Sequence, residues 1–130
     1  SCPFFLNAYA TQASKAMIQR FDVGPRMSEM AVHQGTIYLA GQVAEDASAD
    51  IAGQTAQVLA AIDALLLRAG SDRGKILRAE IFLPDMADFA AMNAIWEAWV
   101  VPGQTPPRAT VQAALAKPEW KIEIVVTAAV

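Results

Sequence analysis

The sequence predicts an α+β domain, a six-stranded mixed sheet with two helices on one of its faces. Two observations predict it. Apolar residues recur in short alternating runs, then at spacings of three and four, in the order βββ-α-β-α-ββ. The chain has 130 residues, 55% hydrophobic and 18% charged, which suits one core, since a domain typically takes roughly 100–200 residues.

Residues 1–16, SCPFFLNAYATQASKA, carry neither period and read as a poorly ordered extension ahead of a single domain, residues 17–130. The extension has no basic start before its apolar residues, so it does not read as a secretory signal. Ile18 to Val23 is the first strand, stopped by Gly24-Pro25. Glu29 to His33 and Thr36 to Ala40 form a hairpin around the two-residue turn Gln34-Gly35. The small polar stretch from Gly41 to Asp50 is a loop, with Asp50 placed to accept the free N–H groups of a first helical turn. Ile51, Thr55, Val58, Leu59, Ile62, Leu65, Leu66 and Ala69 then make one apolar stripe, and Gly70 supplies a left-handed C-terminal residue.

Ile76 to Leu83 returns to alternation, with Leu77, Ala79, Ile81 and Leu83 assigned to one face and Arg78, Glu80 and Phe82 to the other. Pro84-Asp85 ends that strand, and Asp85 with Asp88 resembles an acidic capping pair. The second helix presents Met86, Phe89, Asn93, Trp96 and Val100 on one side. Pro102, Gly103, Pro106 and Pro107 mark a loop. Two strands finish the chain. Arg108 to Gln112 sets Arg108, Thr110 and Gln112 against Ala109 and Val111, and Lys121 to Ala129 sets Glu123 and Val125 against Ile122, Ile124, Val126 and Ala128.

Composition excludes several classes. With 13 acidic and 10 basic side chains the net charge is −3, which argues against a nucleic-acid partner. No apolar run is long enough to span a membrane. One cysteine and one histidine supply neither a disulfide framework nor a usual metal site, and no metal-ligating residue is assigned. Two helices cover one sheet face only. The other, with Phe82, Val125 and Ala129, is too apolar for open water, which points to a closed oligomer rather than a monomer with scattered apolar residues.

Few residues could carry chemistry. His33, at a hairpin end with no orienting partner nearby in sequence, reads as structural. Arg108 and Glu123 are the pair of interest. Arginine offers a planar fork matched to a carboxylate, and a glutamate can hold or deprotonate water. The two converge on one cavity if their strands are neighbours or meet across an interface. The plainer reading is a cross-strand ion pair contributing ~0.2–1 kcal/mol. Gly41 permits close approach to its backbone, Thr110 shares the Arg108 face, and Asn93 needs partners if buried.

The segments Tyr38-Leu39-Ala40-Gly41-Gln42, Gly53-Gln54-Thr55, Leu83-Pro84-Asp85-Met86-Ala87-Asp88-Phe89, Asn93, Pro107-Arg108-Ala109-Thr110-Val111 and Ile122-Glu123-Ile124 resemble, in order and spacing, the RidA/YjgF/YER057c/UK114 family. The resemblance runs from about Ile18 to the C-terminus. It implies a chorismate-mutase-like fold assembled as a trimeric barrel, a homotrimer with clefts between subunits. It implies a cytoplasmic enzyme without a cofactor that hydrolyses enamines and imines, such as 2-aminoacrylate, to 2-keto acids and ammonia. Arg108 then holds the substrate carboxylate, Glu123 the hydrolytic water, and Ala40, Gly41, Asn93, Ala109 and Thr110 line the pocket. Arg26 stands where many members have tyrosine, Ala40 where many have serine and Thr110 where many have cysteine, departures that mark a divergent subgroup. An extra cation at Arg26 favours a more anionic substrate. The alternative in another class is a regulatory trimer that binds a small carboxylate without turnover. A ribonuclease or chaperone role is poorly served by the acidic balance.

Overall fold

The computed structural model describes residues 17–130, so the predicted extension, Cys2 included, lies outside the described residues. Six strands form one sheet in the order β1-β2-β3-β6-β4-β5. They are β1 (Gln19–Phe21), β2 (Met30–His33), β3 (Thr36–Leu39), β4 (Ile76–Leu83), β5 (Arg108–Gln112) and β6 (Glu123–Ala129), with helices α1 (Ile51–Arg68) and α2 (Phe89–Trp99). Every predicted element is present. β4 and β5 match to the residue, while the others lose one to three residues at their ends.

Local chemistry explains the boundaries. Gln34 and Gly35 both take positive φ, 51° and 79°, the twist that a tight two-residue hairpin requires. Asp50 caps α1 by accepting the Gly53 N–H at 2.8 Å. At the other end Gly70, at φ 77°, lets its own N–H reach Leu67 O and the Ser71 N–H reach Leu66 O, so the last carbonyls are satisfied. Asp85 caps the short 3-10 turn Met86–Asp88 through the Ala87 N–H at 2.9 Å. Asp88, its expected partner, makes no capping bond.

β6 is the hinge of the topology. It lies between β3 and β4 and is antiparallel to both, so β3 and β4 run the same way and α1 is the crossover that joins them. The second crossover, through α2, returns the chain to β5, which pairs in parallel with β4. Both helices cover the same face. Beneath them Ile37, Ile81, Leu83 and Ile124 are fully buried with Val58, Ile62, Leu66 and Met92, each contributing ~1.5–3 kcal/mol of burial.

Three expectations fail in detail. Leu77 does not face the core: a bulge between Ile76 and Arg78 inserts one residue, so Ile76 turns inward and Leu77 is 49% exposed. The second helix buries Met92, Trp96 and Trp99, whereas Met86 and Phe89 are exposed and Asn93 and Val100 half-buried. Its first turn is a 3-10 turn, which rotates the stripe away from a periodicity extrapolated from Met86. Arg108, Thr110 and Gln112, the less apolar face of their strand, share the face of Ala79, Ile81 and Leu83, so it is this polar side that points to the helices. Two polar residues that no stripe analysis selects also tie the elements together, Gln54 fully buried and Asp63 half-buried. Gln54 donates to Ala47 O and Glu119 O and accepts the Lys121 N–H, stitching α1 to the approach to β6. Asp63 accepts from Arg73 at 2.6 Å and from the Trp99 indole at 2.9 Å, which locks α1 to the end of α2.

Candidate functional site

The structure divides the predicted site residues into two groups on opposite faces of the sheet. Arg108 pairs in register with Ala79 on the helix side, while Glu123 pairs with Phe82 on the open side. β4 stands between their two strands. Within one protomer the guanidinium and carboxylate therefore do not share a pocket, and the cross-strand ion pair does not form.

The first group surrounds Arg108. Its guanidinium carbon sits 5.4 Å from the centroid of Trp96, which in turn packs on Trp99 at 5.5 Å. Burial lowers the Arg108 pKa from its ordinary value, and the Glu97 carboxylate nearby acts in the opposite direction. The group remains a cation at neutral pH. It is half-buried, yet has no hydrogen bond or ion pair among the described residues. Two residues along the same face, the Thr110 hydroxyl oxygen is buried without a hydrogen-bond partner. Such an orphan costs about 1–3 kcal/mol unless something pairs with it. Asn93 lies one helical turn before Trp96 on α2, half-buried and without a hydrogen bond among the described residues. A half-buried cation and an orphan hydroxyl thus share one face of the edge strand β5, and the amide lies on the helix that carries the ring under the cation.

The second group surrounds Glu123. Its side chain lies directly over Gly41: a β-carbon on that glycine would fall 2.8 Å from the Glu123 carboxyl carbon. A side chain at position 41 would push the Glu123 carboxylate from this place, which the bare backbone of Gly41 leaves open to it. The position is held by a two-bond bridge in which Gln42 and Ile124 exchange N–H groups and carbonyls at 2.9 and 3.1 Å. The Gln42 amide donates to Glu29 Oε2 and to Ala40 O, both at 3.1 Å, and the Ala40 N–H donates to Glu29 O at 2.9 Å. Ala40 thus supplies backbone only. Ala109 is exposed on the open face, in register with Glu80. Arg26 is exposed on the loop between β1 and β2.

Sequence reasoning missed Trp96 and Glu97 as the setting of Arg108, and Gln42 and Glu29 as the frame of Gly41. A faint signal existed for Trp96, a large aromatic on the stripe that also holds Asn93. None existed for Glu29, whose role depends on pairing distant in sequence. His33 ends β2 opposite Thr36 and borders a separate cavity of about 320 Å³ with Phe21, Arg68 and Val130, away from both groups. Among the described residues, no three His, Cys, Asp or Glu side chains are grouped to hold a metal ion. No helix of those residues is long and apolar enough to cross a membrane.

These features define a class: an α+β domain with helices on one face of a mixed sheet, an unpaired arginine at the sheet edge and a glutamate seated on glycine across from it. The chain belongs to the Endoribonuclease L-PSP family, whose family model matches residues 17–130. The same group carries the names RutC and YjgF among its relatives. The RutC family protein YoaB of Escherichia coli is 50% identical over 113 residues, 87% of this chain and 98% of that protein. A crystal structure of a YjgF-family member from Neisseria meningitidis superposes with a TM-score of 0.86 at 48% identity, covering 88% of this chain and 96% of that one. An E. coli protein named 2-iminobutanoate/2-iminopropanoate deaminase is 32% identical over 117 residues, 88% of this chain and 91% of that protein.

Proposed function

We propose that this chain hydrolyses 2-imino acids and their enamine tautomers to 2-keto acids and ammonia, in clefts completed by a second copy of the chain within a homotrimer. The observation that carries the reading is Arg108, a half-buried cation on an aromatic ring that makes no ion pair or hydrogen bond among the described residues. Its planar fork suits an external carboxylate, and the orphan Thr110 hydroxyl lies on the same face to complete the hydrogen bonding. The relative named as a 2-imino acid deaminase supports the reaction class.

The opposed faces of Arg108 and Glu123 support a reading in which the two groups of one site come from different subunits. Arg108 on an edge strand fixes the substrate carboxylate, and Glu123 of the partner subunit holds water against C2. Water adds to the C=N carbon, giving one proton to the carboxylate as the nitrogen takes up another. The protonated carboxyl of Glu123 then gives that proton to the amino group of the carbinolamine, the C–N bond breaks as the hydroxyl proton passes to solvent, and ammonia and the keto acid are released. The imine carbon is electrophilic already, so positioning and charge account for the catalysis.

The test is keto-acid release from freshly generated 2-iminopropanoate. Arg108→Ala lowers the rate at least ~100-fold. A co-refolded equal mixture of Arg108→Ala and Glu123→Gln, each inactive alone, recovers about a quarter of the wild-type rate, because one seam in four unites two intact groups. A wild-type rate equal to that of Arg108→Ala overturns the enzyme reading. Saturable keto-acid binding without turnover identifies a carboxylate-binding module instead.

A further inference from the structure

We infer that Arg26 selects for a second substrate carboxylate, so that the site takes 2-imino dicarboxylic acids in preference to monocarboxylic ones. This rests on the imine hydrolysis proposed above.

Arg26 is carried on the loop between β1 and β2, which the Gly24 N–H closes onto Met27 O at 2.8 Å and the Glu29 N–H closes onto Phe21 O at 3.0 Å. The two acids nearest to it in sequence are engaged elsewhere. Asp22 accepts both terminal nitrogens of Arg68, at 2.7 and 3.1 Å, and Glu29 accepts the Gln42 amide. Arg26 itself has no ion-pair or hydrogen-bond partner among the described residues.

The loop's exit is joined to the Glu123 group. Glu29 accepts the Ala40 N–H through its carbonyl and the Gln42 amide through its carboxylate, and between those two residues Gly41 lies under the Glu123 side chain. Arg26 is three residues from Glu29, at most ~10 Å along the backbone. The backbone therefore keeps a long, unpaired guanidinium within three residues of Glu29, which frames Gly41 beneath the Glu123 side chain.

A monocarboxylic imine uses its single carboxylate on Arg108 and leaves this cation uncompensated. In 2-iminosuccinate the carboxylate at C1 answers Arg108, and the one a methylene beyond C2 answers Arg26, with C2 held between them. A second guanidinium–carboxylate contact fixes orientation as well as charge.

The experiment compares kcat/KM for 2-iminosuccinate and 2-iminopropanoate, generated in place from aspartate and alanine by amino-acid oxidases, with keto-acid release read above the spontaneous rate. The wild type favours the dicarboxylate. In Arg26→Ala the ratio of the two constants falls about tenfold or more, and Arg26→Lys, which keeps the charge without the fork, lies between. A wild type that favours 2-iminopropanoate, or a ratio unmoved in Arg26→Ala, overturns the selection by Arg26 and leaves imine hydrolysis standing. A wild type inactive on both overturns the two readings together.

Discussion

From Ile122 to Ala129 the even-numbered side chains Ile122, Ile124, Val126 and Ala128 are at most 1% exposed under the two helices. Their odd-numbered neighbours Glu123, Val125, Thr127 and Ala129 are only half-buried, on a face that no element of the described residues covers. On that second face Tyr38 is 52% and Val111 45% exposed. One face is closed by the chain's own crossovers, while the other retains apolar area that a neighbouring copy is proposed to close. The division also separates the chemistry, with Arg108 on the covered side and Glu123 on the open one.

Substitutions on each face sharpen or break this contrast. Ile124→Ala empties space in the fully buried layer and lowers stability by about 2–5 kcal/mol in urea unfolding. A loss below ~1 kcal/mol, the range of surface changes, means that this face is not the close-packed one. Asp63→Ala removes the acceptor shared by Arg73 and Trp99 and costs about 1–3 kcal/mol by the same measurement. Tyr38→Glu with Val125→Glu on the open face acts on assembly. Association weakens tenfold or more, at least ~1.4 kcal/mol, read as protomer-sized particles in sedimentation with the helical circular dichroism retained. A wild type that sediments as a monomer breaks the contrast outright, since the open face is then merely solvated.

The smallest effect is at the Asp22–Arg68 pair, whose side chains are 50% and 46% exposed. The Arg68 hydrogen bond holds Asp22 below its ordinary pKa of 3.8. A carboxylate whose pKa is depressed by folding stabilises above the unfolded value and loses that contribution as pH falls through the folded one. Asp22→Asn is therefore slightly less stable than wild type at neutral pH, and the gap closes on acidification below the ordinary value. A gap that stays constant across an acid titration of stability separates the effect from ionisation.

Much of the fold was legible locally. The hairpin at Gln34-Gly35, the cap at Asp50, the glycine stop at Gly70 and the inward set of β6 each follow from two to four neighbouring residues. Leu77 was misplaced because one inserted residue reverses every assignment before it, and alternation carries no mark of a bulge. The α2 stripe was misplaced because a 3-10 turn does not share the α-helical period. For the site, residue types alone singled out Arg108, Glu123 and Gly41, yet only Gly41 and Glu123 meet within one chain. Gln42 and Glu29, thirteen residues apart, escaped notice because their bond depends on β2–β3 pairing.

The sequence by itself determined which segments are helices and strands, where they stop to within about three residues, and, apart from Leu77 at the β4 bulge, which side chains of each strand share a face, since period, caps and turns are properties of neighbouring residues. Tertiary structure decided the rest. Inserting β6 between β3 and β4, and setting β5 parallel to β4 with Arg108 beside Ala79, turned two plausible partners to opposite sides of the sheet. Strand order and register are settled by contacts between residues far apart in the chain, where side-chain packing across the whole sheet outweighs any local preference.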